Sequence, residues 1–311
     1  MKAKHVIIYL LLVIVTSSCI RDEAPNAEAD ILSCRLPGIT MTTSPIINNN
    51  SVTLFVTPGT NISALAPEFT LTSGATITPA SGTERNFNSP QEYQVTAADG
   101  IWKKTYAISV IDTELATIYN FEDTISGKKY YIFVERENDK VIMEWASGNA
   151  GYAMTGVAKT ADDYPTFQIA NGKNGKCLSL VTRSTGFFGG LVGMPIAAGN
   201  LFIGSFDVNN AMSNPLQATK FGLPFRHVPT YLAGYYKYKA GDQFTEGGKP
   251  VEGKRDICDI YAIMYETSVS VPTLDGTNAF TSPNLVSMAR IKDAKETDEW
   301  TCLLYTSPSP R

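Results

Sequence analysis

The sequence predicts an all-β protein of two units, a small β-sandwich of about 80 residues followed by a larger β-rich domain. Three observations carry that prediction. Short runs of β-branched and aromatic residues recur between Gly, Pro, Asn and Asp turn residues from about Ser33 onward, without a helical period. The length of 311 residues is more than one domain usually needs. A composition of 43% hydrophobic and 18% charged residues is that of globular rather than disordered chain. The same composition excludes several functions. A net charge of -4 argues against a nucleic-acid partner, which needs a basic stripe. Only two histidines occur, His5 and His227, so a Ser-His-Asp triad or a His-rich metal site has almost no material.

Residues 1–18 read as an export signal. Lys2, Lys4 and His5 give a positive start, and Val6 to Val15 is an apolar core too short to span a bilayer. Thr16-Ser17-Ser18-Cys19 resembles a bacterial lipobox, with Thr16 where Leu is more usual. That resemblance implies an acylated Cys19, which holds the protein to the membrane by lipid alone. Plain signal cleavage beside an incidental cysteine is the alternative. Asp22 and Glu23 resemble the signal that sends such lipoproteins to the outer membrane, facing the cell exterior. Residues 19–32 are polar and read as a tether.

Residues 33–112 form the first unit. Ser51–Thr57 ends at Pro58-Gly59, Phe69–Thr72 ends at Ser73-Gly74, and Glu92–Thr96 leads through Asp99-Gly100 into Lys104–Ile111. Asp-Gly between alternating runs signals a hairpin. The pattern around that hairpin resembles the Ig-like spacer modules of bacterial surface proteins, and Trp102 within it reads as packing.

The second unit covers residues 113–302. Lys129–Glu135, Val141–Trp145, Lys176–Thr182 and Leu201–Phe206 read as strands, the third of them buried. Gly186–Gly193 is glycine-rich but lacks the G-x-G-x-x-G spacing and opens no helix, so it is not a phosphate cradle. Two longer strands follow. In Thr230–Lys239, period two puts Tyr231, Ala233, Tyr235 and Lys237 on one face, with Leu232, Gly234, Tyr236 and Tyr238 on the other. In Ile257–Glu266, Cys258, Ile260, Ala262 and Met264 read as the core face, opposite Ile257, Asp259, Tyr261, Ile263 and Tyr265. A polar loop, Gly247–Gly253, joins the two strands, which are expected to pair. A face mixing rings with polar groups suits sugars, because rings lie on pyranose C–H faces while Lys and carboxylate groups bond hydroxyls. Tyr235, Lys237, Asp259, Tyr261 and Trp145 are therefore the candidate substrate-binding residues. Half-exposed packing tyrosines are the standing alternative.

Ala197–Phe206, Phe221–Arg226, Leu232–Tyr238 and Asp256–Ile263, with Trp145-x-Ser147-x-Asn149-x-Gly151 and Tyr164-Pro165-Thr166, resemble the putative carbohydrate metabolism domain family. The resemblance implies a jelly-roll-like β-sandwich behind an Ig-like domain in surface lipoproteins, and brings no established catalytic mechanism. Two features depart from the pattern. His227 and Val228 follow Arg226 where proline is more usual, and residues 303–311 resemble translated adapter sequence. The second departure implies a C-terminally truncated sandwich with an exposed edge.

Four cysteines besides Cys19 (Cys34, Cys177, Cys258 and Cys302) permit disulfides in three connectivities, or free thiols acting as small hydrophobes. Hydrolysis of a glycosidic bond needs two flanking carboxylates. Glu122, Asp123, Glu144, Asp207, Asp256 and Asp259 are available, with Glu144 beside Trp145 and Asp259 the catalytic candidates. Asp256 and Asp259 face opposite sides of an extended strand. His227 lacks a visible orienting partner. Asp207, near Asn209 and Asn210, is a candidate oxygen donor to a structural calcium, with loop solvation as the alternative; no other cofactor is implied. The expected role is carbohydrate binding at the cell surface, with a glycoside-acting enzyme or an adhesive protein as alternatives.

Overall fold

The computed structural model describes residues 25–268, 270–291 and 294–306. Cys19 and the export signal lie outside them. Strand accounts for 38% and helix for 8%, an all-β sandwich architecture.

The first unit packs two sheets. Strands β1 (Ile31–Arg35), β2 (Ile46–Ile47), β3 (Ser51–Phe55), β4 (Glu68–Leu71), β5 (Thr76–Thr78), β6 (Gln91–Thr96) and β7 (Lys103–Ile111) form a β1–β4 pair and a sheet of order β2-β3-β7-β6-β5. Strand β3 runs parallel to β7 and β6 antiparallel to it. Alternation decides the core: Val52, Leu54, Val95 and Ile108 are 0% exposed, each contributing about 1.5–3 kcal/mol by leaving water. Cys34 joins that core, where burial pushes its thiol up to about 12. The expected Asp99-Gly100 hairpin is present: Gly100 has φ of 71°, and the Asp99 carboxylate accepts from the amides of Ile101 (2.8 Å) and Trp102 (3.2 Å). Trp102 does not pack, however. It is 63% exposed, because the turn projects it beyond the sheet.

The polar segment read as tether is partly structural. Asp30 accepts from Lys104 Nζ (2.5 Å) and from Tyr106 Oη (3.0 Å), and the Thr72 hydroxyl donates to the Glu28 carbonyl (2.7 Å). Ala29 and Ile31 are buried. Polarity concealed this docking, because the polar groups are themselves the partners.

The second unit contains β8 (Val134–Glu137), β9 (Lys140–Ala146), β10 (Thr166–Ile169), β11 (Cys177–Leu180), β12 (Arg183–Ser184), β13 (Ile196–Ala197), β14 (Phe202–Phe206), β15 (Thr219–Phe221), β16 (Tyr231–Tyr238), β17 (Thr245–Glu246), β18 (Lys249–Pro250), β19 (Ile260–Tyr265), β20 (Leu285–Ile291) and β21 (Thr297–Thr306). A four-stranded sheet of order β15-β14-β9-β8 is accompanied by the pairs β10–β11, β12–β13, β16–β21, β17–β18 and β19–β20.

Several expectations change here. Strands β16 and β19 do not pair with each other; β16 takes β21 and β19 takes β20. The intervening loop instead closes its own two-residue hairpin β17–β18 at Gly247-Gly248, whose φ values of 57° and 76° only glycine adopts freely. The expected core face of β19 is not buried: Ala262 is exposed, while Tyr261 meets Phe280 and Tyr265 donates to the Phe221 carbonyl. The strand read at 129–135 starts only at Val134. Strand β11 is half-buried, not buried. Gly186–Leu191 does form a short helix, held by the Thr185 hydroxyl on the Met194 carbonyl (2.5 Å), with no room for a side chain at Gly189. The β21 ladder continues to Thr306, so residues 303–306 pair with β16. The described cysteines are all free.

The landmark residues of the family pattern meet in one buried clasp. Asn149 donates Nδ2 to the Thr166 carbonyl (2.7 Å) and accepts the Thr166 amide (3.1 Å). The Thr166 hydroxyl donates to the Asn200 carbonyl (2.8 Å), and Asn200 Oδ1 accepts the Gly148 amide (2.7 Å). This clasp joins the chain after β9 to the starts of β10 and β14.

Candidate functional site

An open cleft of about 4360 Å³ runs along the second unit and onto the first, where Thr42, Ser51 and Tyr106 also line it. Enclosed small-molecule pockets hold roughly 300–1,000 Å³. The cleft is therefore an open trough and not a closed pocket. Glu144, Trp145, Asp207, Tyr235, Lys237, Asp259 and Tyr261 all line it, but they stand in separate groups.

One wall is aromatic. Strand β9 presents Trp145, whose indole N–H donates to Glu135 Oε1 (2.9 Å) across the β8–β9 hairpin. Its ring meets Tyr119 edge-on at 5.0 Å and Phe121 at 5.5 Å. Phe121 has φ of 57°, a left-handed conformation that costs a bulky residue of order 1–3 kcal/mol. Gln168 Nε2 holds it by donating to the carbonyls of Phe121 (2.8 Å) and Glu122 (2.9 Å). Burial pushes the Glu135 carboxyl above the usual carboxylate range; the indole N–H opposes this and the Asp123 charge adds to it. Burial also pushes the Tyr119 phenol up to about 12.

The facing wall is β16 with β21. Alternation holds along β16: Tyr231, Ala233, Tyr235 and Lys237 are exposed, and the intervening residues half-buried. Lys173, in the turn between β10 and β11, sets its ammonium 3.0 Å from the Tyr235 ring centroid. Lys237 lies 5.3 Å from the Trp300 ring centroid. The two walls approach each other here, where the Glu122 carboxylate accepts the Lys176 amide (3.0 Å) and Cys177 feels the charges of both Glu122 and Lys237.

The remaining candidates are already engaged. Asp259 accepts a two-point bond from Arg290 (2.9 and 2.7 Å), whose guanidinium lies 4.0 Å from the Phe280 ring centroid. Phe280 meets Tyr261 edge-on at 4.9 Å. Asp207 caps the turn Val208–Asn210, accepting from the amides of Asn209 (3.0 Å) and Asn210 (3.4 Å) and from Asn210 Nδ2 (2.7 Å). Its oxygens are committed to the chain. Among the described residues no three His, Cys, Asp or Glu side chains converge on a metal position. His227 Nε2 meets Glu114 at 2.9 Å, reaching back to the connector. Glu144 pairs with Val134 on the sheet face opposite Glu135. Glu144 is exposed, while the chain crowded around its carboxyl pushes it above the usual range, against the attraction of Lys128.

Sequence reasoning missed Tyr119, Phe121, Glu135, Lys173, Trp300 and Arg290. The spacing of Tyr119 and Phe121 places two rings on one side of an extended chain and was available as a signal. Lys173 sits in an Asn-Gly-rich turn and offered none.

Residues 120–304 match the family model described as putative carbohydrate metabolism domain, and residues 31–110 match the N-terminal domain of SGBP, the surface glycan-binding proteins. A crystal structure of a putative glycoside hydrolase from Bacteroides thetaiotaomicron is 82% identical, covers 94% of this chain and 85% of its own, and superposes with a TM-score of 0.89. Another, from Bacteroides vulgatus, is 47% identical over 61% of this chain and 77% of its own, with a TM-score of 0.57. No curated protein matches the chain. The landmark motifs form the clasp that supports the cleft, and the family model spans both cleft walls: the chain belongs to the putative carbohydrate metabolism domain family, behind an N-terminal domain of the surface glycan-binding type.

Proposed function

We propose that this protein is a lipid-anchored cell-surface protein that captures carbohydrate along the cleft, with Trp145 and Tyr235 as stacking rings. One observation carries the reading: the exposed Tyr235 ring, the half-exposed Trp145 ring and lysine ammoniums line one open trough. The surface glycan-binding type of the N-terminal domain supports the context. Ring stacking at about 0.5–1.5 kcal/mol sets the expected size of the effect. In affinity electrophoresis across a polysaccharide panel, the chain from residue 20 onward is retarded, and Tyr235→Ala weakens retardation about two- to tenfold. No retardation on any glycan would defeat the proposal. Lipidation is tested separately: palmitate labelling in a Gram-negative host is present in the full chain and lost in Cys19→Ala.

A second reading, a glycoside-acting enzyme, is favoured by the raised Glu144 carboxyl, because a protonated acid is what a leaving group needs. It expects release of reducing ends that Glu144→Gln abolishes while binding persists. Binding without turnover eliminates it.

A further inference from the structure

We infer that the glycan taken by this cleft is anionic, bearing carboxylate or sulfate groups that pair with Lys173 and Lys237. The inference rests on the carbohydrate-binding reading and narrows its ligand class. Both ammoniums lie over aromatic rings, on Tyr235 and Trp300, and among the described residues neither stands in an ion pair. Of the cleft's carboxylates, Asp259 is paired with Arg290 and Asp30 with Lys104, Asp207, Glu122 and Asp256 accept backbone amides, and Glu144 lies on the face of β9 opposite Trp145. Lys173 and Lys237 therefore have no committed anionic partner. A cation over an exposed ring is held by only about 0.5–1 kcal/mol, so a charge-assisted bond to an anion readily draws it away.

The same contact disfavours a neutral ligand. A neutral sugar stacking on Tyr235 must displace the Lys173 ammonium from the ring face and offers it no charge in return. An anionic sugar gives the ammonium a partner and frees the ring for its own C–H face. Lys173 thus acts as a selective cover on the stacking platform, and Lys237 and Lys176 extend the positive track along the trough.

Matched polymers test this: polygalacturonate against its fully methyl-esterified form for carboxylate, and dextran sulfate against dextran for sulfate. Titration calorimetry at several salt concentrations is expected to show at least tenfold tighter binding of an anionic member than of its neutral partner, weakening as salt rises. The pair that discriminates identifies the anion. Lys173→Gln and Lys237→Gln each lower anionic affinity about three- to tenfold, Lys173→Arg retains it, and Lys103→Gln on the first unit leaves it unchanged. Neutral polymers binding as tightly as charged ones would overturn the inference while leaving carbohydrate binding intact. An equal loss in Lys103→Gln would reduce the effect to general charge and overturn it as well. No binding to any member, nor to a wider neutral panel, removes the carbohydrate reading itself.

Discussion

Three single residues show how much rests on polar groups in this fold. Asn149 is fully buried and its amide both donates to and accepts from Thr166. Asn149→Ala leaves two buried backbone groups without partners, at about 1–3 kcal/mol for each, so denaturant unfolding is expected to show a loss of about 2–4 kcal/mol. Asn149→Asp sets a buried carboxylate against the Thr166 carbonyl and should cost at least as much at pH 7, with part of the loss recovered at low pH, where the protonated acid can donate. Asn149, Thr166 and Asn200 were legible as recurring motifs, yet their partnership was not, since nothing local marks a bond spanning 17 or 34 residues. Asp30 carries a pH signature. The bond from Lys104 is the chief cause holding its carboxyl below the usual range. A depressed folded value means stability that is complete above the unfolded carboxylate range and is lost as pH falls through the folded value. Asp30→Asn should therefore lower the melting temperature at pH 7 and flatten its fall below about pH 4. Glu144 has the opposite sign. Its raised carboxyl makes the folded state less stable as pH climbs through and above the unfolded value, so Glu144→Gln should raise the melting temperature at pH 7 and change it little at pH 3.

At the scale of strands, period-two reading fixed the faces of β16 correctly and failed for β19. Both strands alternate, but which face is covered depends on the partner layer, and pairing between strands distant in sequence is not written in either one. The β17–β18 hairpin separates β16 from β19, and each then finds a later strand. The trough exists because of that separation. Turn chemistry was readable at Asp99-Gly100, which forms the expected hairpin; the β8–β9 connection, where Asn138 and Asp139 take φ of 48° and 66°, was not singled out from the sequence. Asp139→Gly should relieve the left-handed strain and stabilise the hairpin by up to about 1 kcal/mol, seen as a higher denaturant midpoint.

For the whole molecule, composition and spacing delivered the all-β class and the order of the two units. Residues 31–110 match the N-terminal family model and residues 120–304 the second. The joint between the units was not legible. Lys140 bonds Asp112 at 2.6 Å and His227 meets Glu114 at 2.9 Å, one contact on each side of Thr113, while Pro224 and Arg226 line a small crevice together with Phe55 and Val56. An Asp112→Ala/Glu114→Ala double variant should be cut faster by protease within residues 113–118, with the melting of each unit nearly unchanged. Two side-chain pairs thus brace the connector on either flank of one residue, at about 0–1 kcal/mol apiece for partly exposed pairs. Loosening both frees the seam ahead of either sandwich, so enzymatic wear on this molecule begins there.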